Sequence, residues 1–323
     1  MEPLAIVAII ICVLLAMNIG GNNSAAEMGP AFGADVRSKK EAVILIAVFS
    51  MIGAIFAGDK VVHTIGRDLL NFNSLEQNFG MVIVILFSAA VVIGTANILR
   101  IPIATAHAMV GSVIGAGVYY GSVNWGRMSV IIVWWLLTPL ASLVISYLLG
   151  RYVYKRLLGW IEALPGQPMV QILFRGYITV SGCYMAFSAG SNSLAKAVGP
   201  IVGAGILQIN TAAILGGLGM AAGACIVGHR LLHTVGKGIT ELDPLKATLI
   251  EIVCGTIVLI ASRAGMPVSL AEIITCSVIG FGCAHSGIRH TADNKYVKTI
   301  YKLWPACPLV TATLTFCIAT AFF

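Results

Sequence analysis

The stretch Met17-Asn18-Ile19-Gly20-Gly21-Asn22-Asn23-Ser24-Ala25-Ala26-Glu27-Met28-Gly29-Pro30, set in apolar sequence, recurs in the second half as Phe187-Ser188-Ala189-Gly190-Ser191-Asn192-Ser193-Leu194-Ala195-Lys196-Ala197-Val198-Gly199-Pro200. Two copies of a polar, glycine-bearing interruption about half a chain apart predict two related units joined at interrupted helices. Segments away from the interruption agree. Gly58-Asp59-Lys60-Val61-Val62-His63-Thr64-Ile65-Gly66 matches Gly228-His229-Arg230-Leu231-Leu232-His233-Thr234-Val235-Gly236 at the same offset that relates Asn22 to Asn192. Ile101-Pro102-Ile103-Ala104-Thr105-Ala106-His107 likewise matches Met266-Pro267-Val268-Ser269-Leu270-Ala271-Glu272.

Composition decides the solvent in which these units fold. With 58% apolar and 10% charged residues, the chain reads as an integral membrane protein throughout. Spans of bilayer length are expected at approximately 3–34 (broken), 42–57, 81–99, 102–120, 128–149, 176–205 (broken), 210–227, 247–262, 266–284 and 305–323. Unpaired backbone polar groups cannot face lipid, so the spans must be helical and any break must sit against protein or water. The fold class is therefore all-α, with about ten transmembrane helices in two five-span repeats and broken helices at the midplane. An odd span count turns the second repeat upside down relative to the first. Residues 1–150 form the first repeat, 151–175 a cytoplasmic linker and 176–323 the second.

Basic residues give the orientation. Arg37 to Lys40, Arg100, Arg151 to Arg175, Arg230 to Lys246 and Arg289 to Lys302 fall on one side, against Lys60, Arg67, Arg127 and Arg263 on the other. The positive-inside rule then puts both termini outside. The net charge of +7 is mostly topological, and nucleic-acid binding is not expected. The segment from Leu4 to Met17 lacks a basic leader and runs straight into the polar stretch, so it reads as a retained span. The eight cysteines lie scattered in apolar runs without metal-ligand spacing and read as buried free thiols. Tyr119, Tyr120, Trp125, Trp134 and Trp135 read as interfacial aromatics, and Asn97 as a bond between helices. No nucleophile–base pair, metal cluster or phosphate loop points to an enzyme.

The duplicated stretch resembles the GANDVANA-type signature of the inorganic phosphate transporter (PiT) family, and Pro102 to His107 and Pro267 to Glu272 resemble its paired P-V-S-T-T-H segments. The resemblance covers nearly the whole chain. It implies an inverted-repeat secondary transporter that moves a tetrahedral oxyanion with a coupling cation. Carried over by position, it places Asn22, Asn23, Asn192 and Ser193 in the signature, while Thr105 and Ser269 keep hydroxyls of the other motif.

The departures bear on the substrate. Both signature aspartates are missing, replaced by Asn23 and Ser193, and Glu272 stands opposite His107 in the duplicated pair. Phosphate near neutral pH keeps a proton and profits from a carboxylate acceptor, whereas fully ionised sulfate offers acceptors only. A similarity to the sulfate-permease branch of the family, carried by Ser24 to Gly29 and by Pro267-Val268-Ser269 with Glu272, points the same way. The expected function is cation-coupled sulfate uptake by alternating access, with H+ favoured over Na+. A phosphate transporter coupled to Na+ or H+ is the alternative, and an uncoupled anion channel ranks lower.

The substrate is expected to meet Asn22, Asn23, Ser24, Thr105, Ser191, Asn192, Ser193, Lys196 and Ser269, at half-helices starting near Gly20-Gly21 and Gly190-Ser191. Lys196 either faces the anion or pairs with Glu27, and intramembrane charge makes Glu27 and Glu272 the candidate coupling carboxylates. No cofactor or metal is expected. Sulfate or phosphate and the lipid bilayer are the expected partners, and the glycine-rich spans permit a homodimer.

Overall fold

The computed structural model describes residues 2–33, 36–70, 78–99, 103–163, 168–226, 243–288 and 295–323. The helices in chain order are α1 (Pro3–Gly33), α2 (Lys39–Ala57), α3 (Asp59–His63), α4 (Phe79–Ile98), α5 (Thr105–Tyr120), α6 (Trp125–Leu148), α7 (Tyr154–Ala163), α8 (Pro168–Ala189), α9 (Ala195–Gly203), α10 (Ile209–Ile226), α11 (Pro244–Arg263), α12 (Leu270–Ser286) and α13 (Lys295–Phe322). Wide π turns at Thr64–Asp68, Leu149–Val153 and Gly190–Leu194 join α3 onward, α6 to α7, and α8 to α9. Among the described residues, the extended chain is limited to an isolated antiparallel bridge between Leu70 and Val123.

Among the described residues, seven stretches are long and apolar enough to cross a membrane: Pro3–Asn23, Lys40–Ala57, Phe79–Ile98, Trp125–Ile161, Ile209–Ile226, Pro244–Arg263 and Trp304–Phe322. The segments expected over 102–120 and 266–284 are helical, but α5 and α12 have 16 and 17 residues. Each falls short of the roughly 20 residues that a single span needs. The outer face is apolar, with Phe56, Leu136, Leu140 and Leu309 all well exposed, as lipid-facing side chains require.

Local chemistry sets the helix ends. Ser38 and Glu41 form a reciprocal capping box at α2. Asn78 caps α4, Asn124 caps α6 and Ser269 caps α12. At Gly265 the backbone turns left-handed (φ 75°), which ends α11 and releases the extended bend that leads to α12.

Asp243 caps α11 just ahead of its first residue, accepting from the Lys246 amide at 2.9 Å and the Tyr154 hydroxyl at 2.7 Å, with the Lys246 ammonium at 3.1 Å. Burial pushes the Asp243 carboxyl up, but these partners outweigh it and hold the group below its ordinary value. A depressed folded-state pKa gives stability that is fully present above the ordinary carboxylate value of about 4 and is lost as pH falls through the lower folded value. Asp243→Ala is therefore expected to lower the unfolding midpoint at pH 7, by a loss of about 1 kcal/mol. The difference from wild type should shrink in acid, as thermal unfolding in detergent measured against pH would reveal.

Three expectations need correction. The helix predicted to break near Gly20-Gly21 is continuous across α1, and the second copy carries a π turn at Gly190–Leu194 in place of a break. The motif glycines answer to packing. A Cβ at Gly20 would overlap the Met220 backbone of α10, and one at Gly190 would overlap the Ser50 backbone of α2. Small residues allow such close helix contact without any interruption. The cysteines are free, but Cys225 and Cys317 are exposed. The second copy of the Gly58–Gly66 motif, 228–236, lies outside the described residues, as does Pro102. Asn97 bonds across helices as expected, donating to the Asn18 carbonyl at 2.9 Å.

Candidate functional site

The π turn Gly190–Leu194 widens the backbone and carries Ser191, Asn192 and Ser193, all fully buried. Such turns occur often at functional sites. Asn192 Nδ2 donates to the Met266 carbonyl at 2.9 Å and to the Ser262 hydroxyl at 3.0 Å, while its Oδ1 accepts from the Val268 amide at 3.1 Å. Ser191 adds a bond to Ser262 at 2.9 Å. One turn later, the fully buried Lys196 donates from Nζ to the Val268 carbonyl at 2.7 Å. The bend from Met266 to Ser269 is thus held from α8–α9, and Trp135 of α6 holds it from the other side by donating to the Pro267 carbonyl at 2.8 Å.

Beyond the bend, Ser269 caps α12 by accepting from the Glu272 amide. The Glu272 carboxylate then meets α5. His107 Nδ1 lies 3.3 Å from Glu272 Oε1 and 3.2 Å from the Trp304 carbonyl. The carbonyl is the aligned acceptor, which leaves Glu272 Oε1 without a hydrogen bond. The His107 ring packs on Trp135 at a centroid distance of 3.8 Å. Lys196 and Glu272 also feel each other's charge.

The first copy approaches α5 in a comparable way. Asn22 Nδ2 reaches the Ile103 carbonyl at 3.5 Å and Asn23 Oδ1 at 3.4 Å. Thr105 opens α5 in a buried position, and no side chain caps that helix. The first amides of α5, like those of any helix, have no intrahelical partner. Ser24 lies within α1, and its side chain is outside the described residues.

Several buried polar atoms here have no partner among the described residues: Asn22 Oδ1, Asn23 Nδ2, Ser193 Oγ, His107 Nε2 and Glu272 Oε1. Buried polar groups are normally paired, so unpartnered atoms on these motifs mark them as places for a ligand or solvent to bind.

Glu27 is placed differently from expectation. Its main chain packs beside Gly182 of α8, and both carboxylate oxygens are buried without a partner among the described residues. The Glu27–Lys196 pair does not form, and the Lys196 ammonium donates to the Val268 carbonyl instead. Trp135, read from the sequence as an interfacial aromatic, donates to the Pro267 carbonyl and packs on His107. Sequence reading missed Glu251, a buried carboxylate on α11 that accepts from Ser181 at 2.6 Å. Its signal was present, a lone Glu inside Leu249-Ile250-Glu251-Ile252-Val253.

The sequence profile of the phosphate transporter family matches residues 19–315. The chain belongs to that family. Among its relatives is the Sulfate permease CysP of Bacillus subtilis (strain 168), 33% identical over 316 residues that cover 98% of this chain and 87% of the other. A solved structure, "The sodium-dependent phosphate transporter", superposes with a TM-score of 0.81 at 22% identity over 100% of both chains. At that identity the likeness concerns the fold alone. As a member of the phosphate transporter family with several apolar spans, the protein is a multi-pass membrane transport protein. The residues around Asn192 and Glu272 all fall inside the matched range.

Proposed function

We propose that this chain is a permease for a small tetrahedral oxyanion, with sulfate preferred and uptake coupled to H+ by alternating access between two inverted five-span repeats. Both termini lie outside, and the proposed substrate contacts are Asn22, Asn23, Ser24, Thr105, Ser191, Asn192, Ser193, Lys196 and Ser269. The observation that carries the sulfate preference concerns the two positions where the family signature has Asp. Each presents a buried donor with no partner among the described residues, Asn23 Nδ2 and Ser193 Oγ. Unpaired donors complement an anion that offers acceptors alone. The Lys196 ammonium supplies charge, and the uncapped start of α5 supplies amides, in place of the half-helices first expected within the signature.

Coupling through Glu272 is the part of this reading that H+ serves best. Its oxygen beside His107 lacks a hydrogen bond, so a proton added there meets a vacant acceptor. Glu27 is a second candidate on the same ground of buried, unpartnered oxygens. That vacancy also supports the phosphate reading, since Glu272 Oε1 could accept the proton that phosphate retains.

Uptake of labelled sulfate and phosphate into proteoliposomes under imposed pH and Na+ gradients separates the two. Sulfate accumulation driven by an inward proton gradient, with phosphate a weak competitor, is the expected result. Phosphate uptake that excess sulfate leaves untouched would refute the preference, and a current that never saturates would favour a channel.

A further inference from the structure

We propose that Arg127 and its partners on the π turn Thr64–Asp68 form a gate, a breakable clamp that covers the Met266–Ser269 bend from the outer side and opens to admit the anion. The inference rests on the permease reading, and the orientation proposed there makes this end the outer one. Arg127, in the first turn of α6, donates from Nη2 to the Thr64 hydroxyl at 2.7 Å and lies 3.4 Å from Asp68 Oδ2. His63 Nδ1 holds the other Asp68 oxygen at 2.7 Å. The clamp sits directly on the turn that leads into the bend. A Cβ at Gly265 would lie 3.2 Å from both Arg127 Nη2 and Thr64 Oγ1. One residue further on Met266 is buried, and so are Val268 and Ser269.

The clamp joins two bodies that each carry part of the candidate site. On one side the π turn is fastened to α9, which bears Lys196: Gly66 packs backbone to backbone on Gly199 and Gly203, with no room for a Cβ. On the other side α6 is fastened to the bend through Trp135 and the Pro267 carbonyl. It is fastened to α12, which bears Glu272, by Ser142 donating to the Ile273 carbonyl at 2.7 Å and by the Leu143 backbone against Gly280. Small residues let such backbones pack closely. The bonds of Asn192 and Lys196 to the bend also cross between the bodies, but they belong to the site itself, and the clamp lies outside it. A partly exposed ion pair contributes little stability, so the clamp can open without unpacking either body.

A cysteine placed beneath the clamp reads its opening. Met266→Cys is made alone and together with Arg127→Ala, and each is labelled on intact cells with a charged, membrane-impermeant methanethiosulfonate, against parents that keep Met266. Releasing the clamp shifts the population toward the open form, so Arg127→Ala should raise the labelling rate at residue 266 roughly tenfold. Arg127→Lys, which keeps the charge, should return the rate most of the way. A second arm fastens the gate. Thr64→Cys with Arg127→Cys is bridged by a bifunctional methanethiosulfonate, and sulfate uptake should fall roughly tenfold against the unbridged variant as the open form is lost. Cleaving the bridge with reductant should restore it.

Labelling that Arg127→Ala leaves unchanged overturns the proposal. So does a rise seen only in inverted vesicles, or a bridged carrier that transports at the unbridged rate. If Arg127→Ala does not fold, Asp68→Asn is read by the same criteria, and Leu270→Cys, at another buried position, stands in for a Met266→Cys that does not fold. Labelling needs no substrate, so it still decides the question if the carried anion proves not to be sulfate.

Discussion

Replacing Asn192 by Ala is expected to reduce sulfate uptake by about two orders of magnitude while the protein still folds. The side chain makes three bonds, to Ser262, to the Met266 carbonyl and from the Val268 amide. Losing it leaves a buried amide and a buried carbonyl unpaired, and each orphan costs about 1–3 kcal/mol. The bend relaxes to recover partners, and in relaxing it moves the Val268 carbonyl that seats Lys196 and the Ser269 cap that starts α12. The loss therefore falls on site geometry, where displacement of about 1 Å can cost a hundredfold.

Asn192→Asp separates charge from position. Its carboxylate keeps the acceptor for Val268 but sets an oxygen against the Met266 carbonyl, so partial recovery at best is expected. Initial uptake rates in proteoliposomes, with size-exclusion profiles as the folding control, check both variants. Near-normal rates in Asn192→Ala would move the site away from the π turn.

Much of this arrangement could be read from the sequence, and the exceptions have physical causes. Apolar runs of bilayer length located the helices, because the bilayer leaves the backbone few other options. The duplicated motifs located Asn192, Lys196, Ser269 and Glu272, which the structure gathers around one bend. The supposed helix breaks were illegible for a definite reason. Gly20 and Gly190 look like interruptions in isolation, and only the opposing Met220 and Ser50 backbones reveal them as contact points.

Pairing failed similarly. Glu27 and Lys196 occupy near-equivalent motif positions, yet which one meets a carbonyl depends on where the bend before α12 comes to rest. Trp135 carried the composition of an interfacial residue, and its role at Pro267 follows from tertiary placement alone. The start of α5, whose cap position holds Ala104, offered no side-chain signal of a functional helix end.

The second large effect is expected at Glu272. Glu272→Gln should abolish proton-driven accumulation of sulfate, with steady-state levels inside vesicles falling to equilibrium with the bath, while sulfate–sulfate exchange continues. A permanently neutral amide imitates the protonated carboxyl, so a carrier whose coupling group it replaces can bind and exchange anion but cannot be reset by deprotonation. The substitution keeps size and retains the Ser269 cap, which uses the backbone amide of residue 272. Loss of fold is thus a weak explanation for failure. The change also removes the carboxylate charge beside His107, so weaker proton dependence should come with altered anion affinity.

Counterflow of labelled sulfate measured beside gradient-driven uptake distinguishes the cases. Exchange without accumulation supports Glu272 as the coupling carboxylate. Loss of both makes it part of the binding geometry, and full accumulation transfers the role to Glu27, whose two oxygens are equally vacant. Repeating the measurement on Glu27→Gln then decides between the two carboxylates, because a single proton per cycle needs only one group that alternates between charged and neutral as the site changes sides.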